Sequence, residues 1–594
     1  MAQAKLKPGG LILLVGFAAG VIALGWYTTQ RGRGAPAGGG AVPGGAATPG
    51  GGVASGGGAV PGGAVPGGAT PGGATPGGGE APLAGTTESK YTEVGRQGVA
   101  QVTAKGSYRW NASDPTVVFP INIWAGWGPI IAANDGFAAG SPGSVFKKYG
   151  FKVELKLIDD PSAAANAYAS GEAHTLWGTL DMIALFAPQL KKVGLTPKVF
   201  QQIDWSQGGD GVVVRRGIRN VKDLAGKTIA LCQNSPSHYY ILRLLADQGI
   251  SDKSVRFRFT QTAFGASALF AQDRTVHACV SWAPDIYTLT DPEKNPGGGA
   301  RLLSTTADAA NVIADVWAAR PDFARDHPEV IEGLVRGIFE GVDILAKNPD
   351  KVAALMAQGY GFPVEECKGM LGDAYPTGLG DNVRFFLTDV EQNKVNFVGT
   401  WNSAVEVYRR YGAISQAVPA GEVLDSSVIA KLQKEGAFKH QKAQAREFQP
   451  LAVDLSSVEA GEDDVLRVPK RIRFKPNKWD LDPKYDEKIP QVLAEIKELC
   501  QRYSGARIII EGNVDTSRKN EIRRLGQRQF AIMSQAVQEL SEKRAQAVRK
   551  ALLKAMPKED PNRFYAFGNG WDNPIDLLDH SKNRRVDVRV IRVE

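Results

Sequence analysis

The sequence has few of the residues that build metal sites, disulfide frameworks or catalytic centres. It contains four cysteines and six histidines among 594 residues, with neither a Cys-x-x-Cys pair nor a histidine spacing typical of a metal site. These absences argue against a structural zinc site and against a disulfide framework. No Ser-His-Asp arrangement is recognisable either, so we expect no metal, no cofactor and no enzyme activity.

Charge is also scarce near the amino terminus, where residues 9–29 carry no charged side chain. An apolar run of about 18–20 residues is long enough to span a bilayer. Trp26 and Tyr27 at the end of the run suit the membrane interface. The same end is a poor cleavage site for a signal peptidase. We therefore predict an uncleaved transmembrane anchor in residues 1–33.

Residues 34–90 are predicted to be a disordered linker. Up to residue 85 the chain loosely repeats glycine, proline, alanine, valine and threonine, with almost no charge and no aromatic residue. Such a segment cannot bury enough apolar surface to offset the entropy of ordering it. As a flexible coil, a segment of ~50 residues spans about 40 Å on average. Both a tether and a neutral spacer fit this composition.

Residues 91–445 are predicted to form an α/β module, because apolar runs typical of strands alternate with segments of helical periodicity. Strands that alternate with helices indicate a mostly parallel sheet, with ligand sites at the strand ends. The predicted strands are 117–124, 153–158, 211–215 and 228–231, and the predicted helices are 161–170, 180–193, 237–248 and 263–272.

Four motifs occur together in this module: WAGWGP at residues 124–129, SGE at 170–172, DLAGKTIA at 223–230 and SPSH at 235–238. The combination resembles the periplasmic substrate-binding proteins of ABC transporters, in the type 2 subgroup that includes nitrate-, sulfonate- and taurine-binding proteins. The resemblance implies two lobes that close on a ligand. The second lobe would span about residues 211–304, and the flanking residues would form the first.

The predicted solute site lies where strands end and helices begin. Ser235 and Ser237 flank a helix start, where free backbone N–H groups favour an anion. Trp127 and Trp282 also lie at predicted strand ends, where an aromatic wall can cover an organic ligand. Ordinary helix capping by the serines and core packing of Trp127 are the competing structural interpretations.

Two further kinds of residue lie at or near these strand ends. Asp181 or Asp285 could bind an ammonium group if the solute has one. Cys232 and Cys279 fall on two strands of the second lobe, and an oxidising compartment would permit a disulfide between them. We expect two buried free thiols instead.

Residues 460–594 carry three motifs in the order of another known family. They are IIIEGNVD at residues 508–515, LSEKRA at 540–545 and NRRVDV at 583–588. The combination resembles the OmpA-like peptidoglycan-binding domain, whose pattern is a strand ending in an EGxxD-type turn, a helix opening with LSxxRA and a last strand opening with NRRV. The predicted elements of this α/β sandwich are strands at 471–474, 507–511 and 586–590 and a helix at 489–499.

The resemblance implies a site for diaminopimelate, whose side chain ends in an ammonium and a carboxylate. A receptor then needs an anion and a planar cation, because a guanidinium grips a carboxylate through two parallel hydrogen bonds. In the resembled family, an aspartate after the second strand and the arginine of LSxxRA play these parts, and they correspond to Asp515 and Arg544. Arg584 or Arg585 would add to the site. A structural ion pair between Asp515 and Arg544 is the competing interpretation.

The sequence departs from the family pattern in three places. Val514 takes the position of the usual threonine, and Val537 takes that of an asparagine. Extra residues also lie between Asp515 and LSEKRA, and they either extend the helix or form a hairpin. The insertion is basic and contains Arg518, Lys519, Arg523, Arg524 and Arg528.

These features together predict a membrane-tethered, peptidoglycan-anchored receptor that captures a small anionic solute for an ABC permease. A wall-binding domain must lie outside the cytoplasm. We therefore expect one pass through the inner membrane, with the bulk of the chain in the periplasm of a Gram-negative type envelope. The formal net charge of +8 suits weak attraction to anions and does not demand nucleic acid.

Two other functions share some of these sequence features. The binding module could instead serve an envelope scaffold or a ligand sensor, because a wall anchor restricts the diffusion of a receptor. A channel component of the flagellar-stator kind also joins a membrane helix to an OmpA-like domain, but it needs an acidic residue within the membrane. Residues 9–30 contain no Asp or Glu, which argues against the channel.

Overall fold

A computed structural model describes residues 86–96, 105–295, 299–389, 395–443, 464–475 and 477–591. All of them belong to one compact unit, Gly77–Glu594. The predicted anchor and nearly all of the predicted linker lie outside the described residues. Within the described part of the chain, no helix combines the length and the apolar character needed to cross a membrane.

The strands of the described residues are, in chain order, β1 (Glu93–Val94), β2 (Thr116–Ile121), β3 (Lys152–Leu157), β4 (Thr175–Thr179), β5 (Lys198–Ser206), β6 (Asp210–Arg215), β7 (Thr228–Cys232), β8 (Arg256–Thr260), β9 (Ala278–Trp282), β10 (Ala300–Thr305), β11 (Ala314–Ala319), β12 (Ala374–Pro376), β13 (Asp464–Lys470), β14 (Arg507–Gly512), β15 (Phe564–Gly568) and β16 (Val586–Ile591).

The α-helices of the same residues are α1 (Gly128–Asn134), α2 (Pro161–Ser170), α3 (Leu180–Lys192), α4 (Pro236–Gln248), α5 (Ala263–Gln272), α6 (Asp285–Thr290), α7 (Pro321–Asp326), α8 (Pro328–Lys347), α9 (Pro349–Tyr360), α10 (Val364–Met370), α11 (Leu379–Leu387), α12 (Phe397–Arg410), α13 (Ala420–Val423), α14 (Ser427–Glu435), α15 (Ile489–Arg502), α16 (Lys519–Arg524) and α17 (Gln527–Ala555).

The α/β module has two lobes, as the sequence predicts. The first lobe contains the parallel pair β2–β3 and an antiparallel sheet in the order β12-β5-β11-β4. The second lobe is a mixed sheet in the order β1-β8-β7-β9-β6-β10. The chain crosses between the lobes after β5 and again after β10. The two crossovers contact each other, since the hydroxyls of Ser206 and Thr306 lie 2.7 Å apart.

The prediction of a mostly parallel sheet is wrong for the first lobe. When the chain returns from the second lobe, β11 inserts between β4 and β5 and runs antiparallel to both. Parallel pairing in the second lobe is confined to β7 with β8 and β9. A local pattern of alternating strands and helices cannot predict this return of the chain, because the pairing of β11 with β4 and β5 joins residues that are far apart in the sequence.

Helix α2 shows how local sequence sets the edge of the interlobe cleft. The Asp160 carboxylate accepts hydrogen bonds from the backbone N–H groups of Ser162 and Ala163, at 2.8 and 3.2 Å. Pro161 occupies the first helical position, where a missing N–H is harmless. Gly171 ends the helix with a left-handed φ of 83°. The helix therefore has the bounds predicted from the sequence.

The carboxy-terminal domain is a four-stranded sheet in the order β13-β16-β14-β15 with helices packed on it. The predicted strand at 471–474 is wrong, because β13 lies earlier and its ladder with β16 ends at the pair Lys470–Val586. The LSEKRA motif does not open a helix either. It lies inside α17, which begins at Gln527, so the inserted residues form α16 and extend α17.

This carboxy-terminal domain docks against the second lobe through a buried carboxylate. Both oxygens of Asp247, in α4, are engaged: Arg502 Nη2 donates to Oδ1 at 2.8 Å and Tyr503 Oη to Oδ2 at 3.0 Å. Arg243 also pairs with Asp247. Gln248 adds a reciprocal pair of hydrogen bonds with the backbone of Arg467, at 2.9 and 3.1 Å.

The same domain also contacts the second crossover between the lobes. Asn311 Nδ2 donates to the backbone carbonyl of Gln501 at 2.8 Å and to Ser504 Oγ at 2.9 Å. Gly505 N–H donates to the carbonyl of Asp308 at 3.1 Å. The docked domain therefore lies against the segment about which the two lobes are joined.

Candidate functional site

The interlobe region brings together the starts of α3 and α4. Helix α3 follows β4, an edge strand of the first lobe, and α4 follows β7 inside the sheet of the second lobe; neither helix start has a side-chain cap. The Ser235 hydroxyl instead donates to the carbonyl of Cys232 at 2.8 Å. Helix starts without caps leave backbone N–H groups free and favour negative charge. The two uncapped starts therefore form an environment suited to an anionic group.

Side chains at these two starts carry polar atoms without a partner. Three buried atoms have no hydrogen-bond partner within 3.5 Å among the described residues. They are Thr179 Oγ1 and Asp181 Oδ1 in the first lobe and Ser237 Oγ in the second. A buried polar group without a partner costs about 1–3 kcal/mol. Such groups are rare in native structures and call for a specific reason. Each of these atoms is therefore a candidate for contact with a ligand.

Tyr408 joins the two helix starts. Its hydroxyl donates to Asp181 Oδ2 at 3.1 Å, and its ring lies 5.7 Å from the ring of Tyr239 in α4. The first turns of α3 and α4 therefore approach each other through Tyr239 and Tyr408, with the Asp181 carboxylate at this contact.

The floor of this region is acidic. Burial raises the pKa of Asp181 and of Asp210 to about 7. Burial and the neighbouring Asp204 raise the pKa of Asp315 well above its ordinary value. No lysine, arginine or histidine among the described residues forms a salt bridge with Asp181, Asp210 or Asp315. A positively charged group of a solute would therefore be stabilised here.

The raised pKa of Asp181 makes stability depend on pH. The unfolded chain releases this proton near pH 3.9, whereas the folded protein holds it to about pH 7. Stability therefore falls as pH rises through this interval. Asp181→Asn is expected to raise Tm by about 2–4 °C at pH 8 and to leave it unchanged at pH 4. Scanning calorimetry at the two pH values checks this, and an equal shift at both would contradict it.

The predicted solute-binding residues occupy different surroundings. Ser235 and Ser237 lie at the start of α4, and Asp181 lies at the start of α3. Trp127 lies fully buried in the core of the first lobe, where its indole N–H donates to Asn122 Oδ1 at 2.8 Å. Trp282 donates across the lobes to the carbonyl of Ile123 at 3.0 Å. The two tryptophans therefore serve packing and lobe contact in this arrangement.

The sequence did not identify Trp124 or Thr179 as residues of the interlobe region. Trp124 donates to Asp204 Oδ2 at 3.2 Å and its ring packs against Gly209 of the first crossover. A Cβ at residue 209 would lie 2.4 Å from the indole. The doubled tryptophan in WAGWGP gave no means of telling which ring faces the core. The hydroxyl of Thr179 resembles an ordinary helix cap in the sequence, and only its missing partner marks it.

The cysteines of the second lobe are free. Cys232 and Cys279 are buried on the neighbouring strands β7 and β9 and form no disulfide. Burial raises the pKa of both thiols, so neither is a reactive thiolate at neutral pH.

The carboxy-terminal domain has a pocket of about 290 Å³ beside its predicted wall-binding residues. Arg544 lies under this surface with its guanidinium 4.9 Å from the centre of the Phe474 ring. The Arg544 Nε donates to the carbonyl of Lys478 at 3.1 Å, and Nη1 is buried without a partner. The pocket is lined by Arg471, Arg473, Phe474, Tyr485 and Arg584.

Asp515 lies next to these arginines. Its Oδ2 is 3.7 Å from Arg584 Nη1, and its charge partly offsets the effect of burial, which lowers the pKa of Arg544 to about 10. Although Asp515 and Arg544 are both described, no salt bridge within 4.0 Å joins them. The carboxylate and the guanidinium of Arg544 are thus close enough to interact, yet each has room for a ligand group.

Arg585 does not belong to this group. Its guanidinium is buried and forms a two-pronged ion pair with Asp587, at 2.7 Å for both hydrogen bonds. In a strand, consecutive side chains point to opposite faces of the sheet. Arg584 and Arg585 directly precede β16, and their side chains likewise point to opposite faces of the sheet. Only Arg584 therefore lines the pocket.

Two family models match separate parts of the chain. The model described as NMT1/THI5 like matches residues 137–352, and the OmpA family model matches residues 473–586. The first match lies within the two-lobed module. The second covers most of the carboxy-terminal domain.

Two proteins of Escherichia coli (strain K12) are similar to part of this chain. The taurine-binding periplasmic protein is 27% identical over 246 residues, which are 39% of this chain and 71% of that protein. A protein described as aliphatic sulfonates-binding is 26% identical over 162 residues, which are 27% of this chain and 48% of that protein. The chain thus joins a periplasmic-binding-protein module, related to taurine- and sulfonate-binding proteins, to an OmpA-like domain.

Solved structures of binding proteins are also similar. The alkanesulfonate-binding protein from Xanthomonas axonopodis pv. citri, bound to MOPS, has 16% identity and a TM-score of 0.41, covering 53% of this chain and 99% of that one. The nitrate-binding protein from Synechocystis has 13% identity and a TM-score of 0.42, covering 59% and 97%.

Proposed function

We propose that this protein is a periplasmic solute receptor, tethered to the inner membrane by residues 1–33 and anchored to peptidoglycan by its OmpA-like domain. It captures a small anionic solute between its two lobes and presents it to an ABC permease. The observation that carries the proposal is the pair of uncapped helix starts with unpartnered buried atoms on Asp181 and Ser237. The relatives that bind taurine and sulfonates support it.

The charges of the site favour a solute with both an anionic group and an ammonium. The free N–H groups and hydroxyls at the starts of α3 and α4 suit a sulfonate or carboxylate. Asp181 has no cationic partner among the described residues and suits an ammonium. An aminosulfonate such as taurine carries both groups. In this proposal, Asp181 makes the site bind aminosulfonates more tightly than alkanesulfonates that lack an amino group.

Calorimetric titration of the full chain tests the proposal with taurine, ethanesulfonate, β-alanine and nitrate. Ser237→Ala is expected to weaken taurine binding by about tenfold, because a hydrogen bond to a charged group contributes about 1.5–3 kcal/mol. Asp181→Asn is expected to weaken taurine and spare ethanesulfonate. Ser113→Ala, at an exposed turn, is the matched control. Equal affinities for all three variants would refute the site.

The peptidoglycan part of the proposal rests on Asp515, Arg544 and Arg584. Asp515 would accept the diaminopimelate ammonium, and Arg544 would grip its carboxylate through the unpartnered Nη1 and its neighbour. Arg584 would add a second cation at the mouth of the pocket, where it already lies 3.7 Å from Asp515.

A sensor or scaffold is the second candidate function. The observation that favours it is the docking of the OmpA-like domain on the crossover at Asn311, because a wall-bound domain in that position can respond to lobe movement. Wall binding that persists while no solute in the panel binds would favour this alternative over transport.

A further inference from the structure

The residues just before the two-lobed module form an arm, residues 86–96, that crosses the second lobe. Its strand β1 pairs antiparallel with β8, and Gln261 N–H donates to the carbonyl of Thr92 at 3.1 Å. Tyr91 packs against the apolar cluster under α5. From there the arm runs across the ends of the strands toward α6. It is therefore an ordered part of the second lobe.

The tip of the arm is bound by the starts of two helices. Thr87 donates from its backbone N–H and from its hydroxyl to Asp285 Oδ1, at 2.8 and 2.7 Å. Thr262, which caps α5, donates its hydroxyl to Glu88 Oε1 at 2.7 Å. The other Glu88 oxygen lies 3.4 Å from the position of a Cβ on Gly265. The carboxylate thus covers the first turn of α5, where a helix favours negative charge.

Glu88 also faces the first lobe. Asp159, which follows β3, is half-buried, and desolvation together with the nearby Glu88 charge raises its pKa to about 6. Next to it, Asp160 Oδ2 accepts a hydrogen bond from Gln261 Nε2 of the second lobe at 3.1 Å. The Glu88 carboxylate therefore lies in the gap between the lobes, beside groups from both.

The arm and the proposed solute site occupy neighbouring strand ends. Helix α4, which contains Ser237, follows β7. Helix α5, whose start is covered by Glu88, follows β8. The strands β7 and β8 are parallel neighbours. Adjacent strands lie about 4.8 Å apart. Two negative charges at neighbouring sites near a protein surface repel each other, and the repulsion falls with their separation. An anion at the start of α4 and the Glu88 carboxylate therefore oppose each other.

We propose that the arm is an internal competitor of the solute: its Glu88 carboxylate lies on the helix start next to the anion position of the second lobe and disfavours an anion there, and solute binding releases the arm. The inference rests on the proposed solute capture. Because coupling between two binding events is reciprocal, an arm that weakens solute binding is itself weakened by the solute to the same extent. The arm includes residues 86–90, the last residues of the predicted linker, so a pull on the tether favours the solute-binding state.

Two measurements on the full chain test this inference with taurine as the probe. The double variant Thr87→Ala/Glu88→Ala is expected to bind taurine about three- to tenfold more tightly than the wild type, a shift typical of such coupling. Lys90→Ala, at an exposed position of the same arm, is the matched control and is expected to bind as the wild type does. An unchanged affinity in the double variant would overturn the inference while leaving solute capture intact.

Hydrogen exchange of the arm is the second measurement. Saturating taurine is expected to speed exchange at the Thr87 amide, whose bond to Asp285 the solute would break, and to leave the core amides of β7 unchanged. Arm protection that stays constant or increases while taurine binds would overturn the inference. If neither the wild type nor the double variant binds any solute of the panel, the competition and the proposed capture fail together.

Discussion

Arg544→Ala is expected to abolish retention of the full chain on purified diaminopimelate-type peptidoglycan. Arg544 is only 3% exposed, yet its Nη1 has no partner among the described residues. It therefore has a free hydrogen-bond donor held in place by Phe474 and the carbonyl of Lys478. Alanine removes the planar fork that grips a carboxylate. We expect a loss of affinity of about 100-fold or more, measured by co-sedimentation, because truncating a buried charged partner costs 2–5 kcal/mol.

Two control variants make this result specific. Arg544→Lys keeps the charge but not the fork, and we expect it to recover only a minor part of the binding. Arg524→Ala removes an exposed arginine of the basic insertion in α16 and is expected to bind as the wild type does. If Arg544→Ala were retained on the wall as fully as Arg524→Ala, the assignment of the pocket would be wrong.

Gly505→Ala is expected to undock the OmpA-like domain from the two-lobed module. A Cβ on residue 505 would lie 1.7 Å from the carbonyl oxygen of Ala307. That oxygen belongs to backbone and cannot move away as a flexible side chain does. Overpacking of this kind costs about 1–3 kcal/mol or more. We expect one cooperative unfolding transition to become two in calorimetry, and the radius of gyration from solution scattering to rise.

Gly369→Ala is the matched control for undocking. A Cβ at this position of α10 meets nothing within 4 Å, and alanine favours a helix. We expect unchanged scattering and an equal or slightly higher Tm. Two separate transitions in the wild type itself would contradict the docked arrangement, since they would mean that the contacts of Asp247 and Asn311 do not hold the domains together.

Docking gives the fused chain a property that neither part has alone. Asp247 belongs to the second lobe, and Asn311 belongs to the crossover between the lobes, and both bind the OmpA-like domain. A domain held at those two points moves with the second lobe. If the lobes close on a solute as proposed, we expect the OmpA-like domain to change position with the second lobe, which would link the two proposed activities through one interface.

Local sequence signals predicted the helices well. Helices α2 and α5 have the predicted bounds, because each begins with a residue whose side chain caps it, Asp160 and Thr262. The three carboxy-terminal motifs also placed Asp515, Arg544 and Arg584 in one neighbourhood, since their spacing reflects a shared sheet edge and its facing helix. Capping and motif spacing are local properties, and a sequence carries them directly.

Long-range pairing could not be predicted in the same way. The insertion of β11 between β4 and β5 depends on a chain that leaves for the second lobe and returns. The contact of Glu88 with Thr262 is equally hidden, because a single glutamate in a polar segment has no pattern that marks its partner. Arg584 and Arg585 look alike in the sequence, and only the ion pair with Asp587 shows which one is structural.

The most direct test of the receptor as a whole is co-sedimentation of labelled taurine with purified sacculi in the presence of the full chain. If the protein binds solute and wall at once, taurine is carried into the pellet by the wild type and remains in the supernatant with Arg544→Ala. Ser237→Ala is expected to bring as much protein into the pellet as the wild type but clearly less taurine. Protein that pellets without taurine in the wild type, or taurine that pellets equally with Arg544→Ala, would contradict the account.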